Sequence, residues 1–333
     1  MKRREFIRMG TAGFASSLLA ATGLLSWTPR THAATIHKTF YITDGYIQQA
    51  DGANVYFKGF SESSGELNVP GKSIVSQTGD TLQITIVNTL NSSHSFVIDD
   101  VVDSGIIGAG QTHTFEFTVN ESGSYHYYDK LNAPFNRLIG LHGGFAVMPG
   151  SSSNELFAGS RQFVQQYFWV TNDIDPVWHN DIDLGRTPSS NFKPYYFTIN
   201  GKTMRVPNHP DYANPEIDSG YSPDTRIVGS IGDRALIRIL NSGLCTHSVH
   251  FHANHVEWIA QNGQARNDVW LKDVLRLQNN LGSLDVIFPF EPPTDAWPPV
   301  SKGKYPMHFH DEMTQTSGGG LYQFGLATTI SFE

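Results

Sequence analysis

The densest chemistry in the chain is a run of histidines, His247-Ser248-Val249-His250-Phe251-His252-Ala253-Asn254-His255, answered farther along by His308-Phe309-His310. On a β-strand, side chains two apart share a face, so His250 and His252 project together, as do His308 and His310, while Phe251 and Phe309 turn to the opposite side. Each His-x-His is a bidentate clamp for a metal ion. If the two strands are neighbours, four imidazoles converge on one point, and without a metal each would need a separate hydrogen-bond partner. Sites made only of imidazole suit copper, zinc, nickel or iron, and the affinity order places copper near the top. His247 and His255 fall off the face of the first clamp, where hydrogen bonding behind the ligands is the expectation. Cys245 reads as a buried thiol, and Asp311-Glu312 offers carboxylates just beyond the second clamp.

Composition narrows what such a site can be. A chain of 333 residues with a single cysteine has no intrachain disulfide and no cysteine-rich zinc or iron–sulfur centre, so imidazole and carboxylate must do any metal binding. The net charge of −8 and the lack of a Lys/Arg run beyond the first residues exclude a general affinity for nucleic acid or anionic lipid. Residues 1–33 read as an export signal: a basic start with Arg3-Arg4 of twin-arginine type, a mildly apolar Gly/Ala-rich stretch, and Thr31-His32-Ala33 as the cleavage site. Its removal leaves 18 basic and 30 acidic residues, a mature chain near −12 with no membrane segment, in the periplasm or secreted. The twin-arginine route carries folded proteins, which suggests a metal loaded before export. Gly318-Gly319-Gly320 lacks the strand-to-helix context of a phosphate loop. No nucleophile elbow is present, and serine or cysteine hydrolase chemistry finds no motif.

The elements that must hold the histidines are short and β-like. Gly, Asn and Pro punctuate apolar and β-branched runs over 69–79, 81–87, 94–98, 113–119, 123–128 and 144–148. A second set covers 162–170, 195–200, 226–229, 235–240, 248–259, 274–277, 284–290, 305–310 and 326–332. No comparable window has a helical period. The phrase Gly79-Asp80-Thr81-Leu82-Gln83-Ile84-Thr85-Ile86-Val87-Asn88 matches Gly232-Asp233-Arg234-Ala235-Leu236-Ile237-Arg238-Ile239-Leu240-Asn241, and each is followed by a serine-flanked histidine, His94 or His247. Two similar domains are expected, 34–155 and 156–333, joined by the Ser/Gly/Asn-rich stretch 149–159. The segment 172–224 reads as an ordered loop between domains, interrupted by a strand near Tyr195.

HSVHFHANH and YPMHFHDEMTQTSGGGLYQFGLATTI resemble the two C-terminal copper motifs of the multicopper oxidases, and GDTLQITIVN with GSYHYYDKLNAPFNRLIGLHGGFAVMP resembles their N-terminal cupredoxin domain. The resemblance covers most of residues 60–333 and points to the two-domain, laccase-like members. It implies an all-β fold of two cupredoxin-like Greek-key β-sandwiches, and a homotrimer with a copper cluster at each subunit seam. By position, His250, His252, His308 and His310 match cluster ligands, with His94 the best further candidate and His126 and His142 able to contribute across a seam. His247 matches the blue-copper histidine. Its partners are missing: the family's relay cysteine is Phe309 here, and the second histidine is Thr314. Aligned with single-domain cupredoxins, the first domain has Asp129 at the copper cysteine and Asn136 at the downstream histidine, so neither domain can build a His₂Cys site.

These readings combine into an exported copper-dependent oxidoreductase with one or two coppers on histidines alone, zinc being the other candidate ion, acting on oxygen or a small substrate bound at the metal. The rival is a non-enzymatic copper-binding, sequestering or scaffold protein. Four neutral imidazoles would also hold zinc, though without the open position that hydrolysis requires.

Overall fold

The structure, a computed structural model, describes residues 24–25, 27–150, 154–203, 225–292, 302–318, 320–322 and 325–333. Most of the twin-arginine segment and residues 204–224 of the expected interdomain loop lie outside them. Where that segment is described, Leu24 bridges to Tyr167 and the Leu25 amide donates to the Gln166 carbonyl at 2.8 Å, so this stretch lies against the body of the protein.

Alternating apolar residues in the repeated phrases place corresponding strands at the centre of two sandwiches. In the first, Thr81–Asn88 runs parallel to Thr35–Gln48 and antiparallel to Thr112–Thr118, with Asn54–Ser61 completing a four-stranded sheet. A five-stranded sheet containing Gly71–Gln77, His142–Met148 and Gly123–Tyr128 packs over it. Phe40, Ile84 and Ile86 from one sheet meet Ile74, Tyr127 and Phe145 from the other in a dry core. The second sandwich repeats the geometry. Arg234–Asn241 is parallel to Gln165–Ile174 and antiparallel to Ser283–Pro289 within a six-stranded sheet. Each of the two matched strands is entered through a left-handed glycine, Gly79 at φ +86° and Gly232 at φ +100°, a conformation that disfavours any residue with a Cβ.

The sheet that carries the histidines is five-stranded, in the order Ile227–Gly229, Ala327–Phe332, Gly303–Phe309, His247–His250, Val274–Leu277. Val249, Met307, Phe309 and Ile330 point from it into a core shared with Trp169, Ile237 and Phe288 of the six-stranded sheet. The sandwiches contact each other through Ala146, Phe168, Val170 and Leu240. Beside this apolar contact, the fully buried Arg238 guanidinium donates to the Gly123 carbonyl at 3.1 Å and to Ser124 Oγ at 2.8 Å, and Ser124 in turn donates to Asp285.

Three sequence expectations need correction. The run 248–259 is not one strand: His247–His250 and Val256–Gln261 belong to different sheets, and the chain turns between them through Ala253 at φ 70°. Two strands of the first sheet, Thr35–Gln48 and Asn54–Ser61, fall in a region where none was expected. The interdomain loop contains a helix, Pro176–Asp183, capped by the Asp175 side chain accepting from the Val177 amide, with proline at the first helical position. Among the described residues no helix is long and apolar enough to cross a membrane.

Candidate metal centre

Sheet register brings the two histidine motifs together. His250 lies directly opposite His308, and Val249 opposite Phe309. Because faces alternate along a strand, burying Val249 and Phe309, both at 0% exposure, forces His250 and His308 side by side onto the outer face. The strand alternation does not extend to His252 and His310. One strand ends at His250 and the other at Phe309, so both histidines sit just past strand ends. Phe251 is drawn inward, stacking on Trp169 at 6.1 Å, and its amide donates to the Asp273 carbonyl at 2.8 Å, which swings His252 back toward the pair. His310 is fixed by its amide donating to the Ser248 carbonyl at 2.8 Å. The Asp311 carboxylate, accepting from the Ser248 amide at 2.7 Å, clamps the two motifs together rather than serving as loose surface charge.

All four rings converge. His250 is central, with ring centroids 4.5 Å from His252, 5.2 Å from His308 and 4.5 Å from His310. His252 and His308 face each other through their Nε2 atoms at 3.2 Å. One ring nitrogen each from His250, His252 and His308 lies within 4.8 Å of the others, and His310 flanks this trio at the exposed edge. Carbonyls set the tautomers: His250 Nδ1 donates to the Asp273 carbonyl at 3.2 Å and His308 Nδ1 to that of Phe309 at 3.1 Å, leaving the Nε2 lone pairs for the centre. Partial burial, and then the neighbouring imidazoles, push His252 down to about 4. His250 is lowered by burial first and then by His310, with the Asp273 carbonyl opposing. His250 and His252 are therefore neutral donors at neutral pH.

The other sequence candidates lie elsewhere. His94 has no free nitrogen within the chain: Nδ1 donates to Asp129 Oδ2 at 2.7 Å, Nε2 is 2.9 Å from Ser92 Oγ, and the residue is at 0% exposure. It does not join the cluster, and reaching across a seam would require breaking both contacts. His126 faces the second sandwich, with Nε2 3.4 Å from the Gly282 carbonyl and Nδ1 3.5 Å from Ser242 Oγ, and burial pushes it down to about 3. His142 donates from Nδ1 to the Arg137 carbonyl at 2.7 Å and is lowered by burial to about 4.

His247 is sealed beneath the cluster. Its ring meets Phe309 edge-on at 5.6 Å, and its Nε2 is 3.1 Å from Asp173 Oδ1 without hydrogen-bond alignment. The same carboxylate accepts from the Cys245 amide at 2.6 Å. Burial, with Asp173 adding to it, pushes the Cys245 thiol up to about 12, which makes it inert. Thr314 is buried and donates its hydroxyl to the Asp311 carbonyl at 2.7 Å. The second-domain blue-copper position is thus filled by aromatic packing and a buried carboxylate. In the first domain Asp129 and Asn136, the positions aligned with the cupredoxin cysteine and histidine, lie against His94 through hydrogen bonds, and Asn136 Nδ2 donates to Asp129 Oδ2 at 2.8 Å. Sequence reasoning did not find Asp173, which lies far from His247 along the chain and in no motif.

No protein-family model matches the chain, and no curated relative matches it by sequence. Solved structures do match it. A blue copper oxidase from Nitrosomonas europaea superimposes with a TM-score of 0.71 at 18% identity, covering 90% of this chain and 86% of that one. A multicopper oxidase gives 0.71 at 18% identity over 90% and 87%. A copper nitrite reductase from Nitrosomonas europaea gives 0.65 at 18% identity over 90% and 94%. The chain has the two-domain, all-β cupredoxin fold that these multicopper oxidase and copper nitrite reductase structures share.

Proposed function

We propose that this protein is an exported copper-dependent oxidoreductase whose metal is held by histidine alone. The observation that carries the reading is the 3.2 Å approach of His252 Nε2 to His308 Nε2. With His308 Nδ1 spent on a carbonyl, its Nε2 presents a lone pair to a ring whose protonation is suppressed, and a shared cation is the natural bridge between two such donors. The donor set fits the ion: three convergent imidazoles with a fourth beside them suit copper, and no carboxylate competes in the trio. Bound there, copper would supply one-electron chemistry between its cuprous and cupric states. His250, His252 and His308 would hold it, and the exposed His310 would ligate it or pass a proton at the solvent side. Phe251 and Phe309 close the inner side against water. With phenylalanine at 309 there is no thiolate to relay electrons from a distant donor, so the substrate, oxygen or a small molecule, must meet the metal directly.

The cluster opens on the chain's surface, where His250 pairs with the exposed Val274 and His310 is itself exposed. This supports the further proposal that a second copy covers it in a homotrimer, formed after twin-arginine export to the periplasm.

The test is metal analysis and electron paramagnetic resonance on protein purified from the periplasm, followed by oxygen uptake with small phenols, nitrite and cuprous ion. One or two coppers without an intense blue band, lost together with uptake in the His308→Ala/His310→Ala double variant, is the expected result. A strong blue band, or unchanged uptake in the double variant, overturns it. Copper without turnover, or zinc alone, identifies a metal-holding protein instead.

A further inference from the structure

Far from the four-histidine centre along the chain, the first sandwich holds a second constellation. Ser92 Oγ lies 2.9 Å from His94 Nε2, and His94 Nδ1 lies 2.7 Å from Asp129 Oδ2. We propose that Ser92, His94 and Asp129 form a nucleophile–base–carboxylate triad that hydrolyses small, unhindered carboxylic esters.

Each member is placed for its role. Asp129 is at 0% exposure, and besides His94 it accepts from the Ser95 amide at 3.0 Å, Ser95 Oγ at 2.7 Å, the Leu131 amide at 2.9 Å and Asn136 Nδ2 at 2.8 Å. A carboxylate held by this many donors cannot swing away, which fixes the imidazole as the Nδ1–H tautomer with its Nε2 lone pair on Ser92. The His94 backbone is pinned in both directions, its amide donating to the Ile107 carbonyl at 3.0 Å and its carbonyl accepting from the Ile107 amide at 2.8 Å. Asn88 Nδ2 donates to the Ser92 carbonyl at 2.8 Å, which holds the loop carrying the nucleophile. Ser92 itself is half-buried between exposed Asn91 and Ser93, in a loop at the surface, while the base behind it is fully buried. Lys58 Nζ is 3.4 Å from Ser92 Oγ, a cation beside the position where negative charge would develop on a carbonyl oxygen.

In the step that follows, Ser92 Oγ bonds to the acyl carbon as its proton passes to His94 Nε2. The ester C–O bond breaks with its electron pair on the departing alkoxide, which takes that proton and leaves as the alcohol. Water then attacks the acyl-serine, His94 again accepting and returning the proton, and the carboxylic acid leaves with Ser92 restored. No oxidant, reductant or metal enters the balance.

The experiment uses the whole protein with a fluorophosphonate probe and p-nitrophenyl acetate, mapping the labelled residue by mass spectrometry. Labelling at Ser92 is expected, abolished in Ser92→Ala and retained in Ser93→Ala. Asp129→Asn, checked for folding by circular dichroism, should slow labelling by about 10²-fold or more, as loss of an oriented base does elsewhere. The His308→Ala/His310→Ala variant and chelator treatment should leave labelling unchanged, which separates this site from the metal centre. Absence of labelling in folded wild-type protein, labelling at another serine, or an equal ester-hydrolysis rate in Ser92→Ala overturns the proposal.

Discussion

Acid should unfold this protein through buried histidines outside the four-histidine cluster, and His179 isolates the effect. It lies on the buried side of the helix Pro176–Asp183, donating from Nδ1 to the Tyr56 carbonyl at 2.6 Å, with its ring edge-on to Phe57 at 4.7 Å. Nε2 has no partner, so a second proton would place an unpaired N–H in an apolar setting; burial pushes the group from 6.5 down to about 4. Above its ordinary value the imidazole is neutral in both folded and unfolded chains and adds no pH dependence. Below 6.5 the unfolded chain takes a proton that the folded one refuses, and stability drains away until about pH 4, where both are protonated. At pH 5 the loss from this one group is about 2 kcal/mol. His142, lowered to about 4, and His126, lowered to about 3, titrate in the same window. The three together remove about 6 kcal/mol between pH 7 and pH 5, a large share of the ~5–15 kcal/mol that holds a typical domain folded. His179→Gln keeps a donor for the Tyr56 carbonyl and should be no more than about 1 kcal/mol less stable at pH 7, yet its loss on going to pH 5 should shrink to about 4 kcal/mol. Urea melts at the two pH values, followed by tryptophan fluorescence, measure this directly. An unchanged acid loss in His179→Gln would refute the burial argument.

Arg238→Ala would leave Asp285 buried without its cation at the junction of the two sandwiches; about 3–5 kcal/mol should be lost in urea melts, with part recovered on adding Asp285→Asn. Phe309→Ala removes a fully buried ring from beneath the histidine pair, and about 3–5 kcal/mol of stability with it, while copper affinity measured by competitive chelation should fall because Val249 and His247 no longer fix the strand beneath the ligands. Gly143→Ala would set a Cβ 2.2 Å from Tyr127 Cζ, and because that ring is stacked on Phe96 at 5.0 Å it cannot yield; a loss of about 1–3 kcal/mol should show in thermal melts.

Internal repetition and the histidine motifs were the legible parts, and both were legible for local reasons. The Gly-Asp phrase before residues 81 and 234 encodes a left-handed turn followed by an alternating strand, and a turn plus a period-two pattern is enough to define the element without knowledge of its neighbours. Convergence of His250 with His308 followed from pattern too, since two phenylalanines that must be buried dictate where their flanking residues point. What stayed hidden depended on tertiary context. Nothing in Phe251-His252-Ala253 signals a turn, because alanine at φ 70° goes against its own preference and the next residue is anchored by distant partners, Asn254 Nδ2 donating to the Pro289 and Glu291 carbonyls. The helix Pro176–Asp183 is short, and its signature is confined to the cap at Asp175-Pro176. The carboxylates facing His94 and His247 lie 35 and 74 residues away, at separations that no motif spans.

Those carboxylates explain which histidines remain available to a metal. A ring nitrogen can ligate only if its lone pair is free, and that is decided by what the other groups around it donate or accept. At His94 both nitrogens are engaged, one by an aspartate and one by a serine, and a metal would have to displace a hydrogen bond on a carboxylate that already accepts from five donors. At His247 the space that a thiolate would fill holds the ring of Phe309, and the neighbouring Asp173 offers a hard oxygen in place of sulfur. On the outer face, main-chain carbonyls take the Nδ1 protons of His250 and His308, and no carboxylate enters the trio, so the lone pairs stay directed at a common point. The same residue type is thus carboxylate-bound, packed against an aromatic ring, or turned outward in one chain. The difference lies in partner and position together: His142 and His179 also donate Nδ1 to a backbone carbonyl but are buried singly, whereas His250 and His308 share an outer face with two further imidazoles.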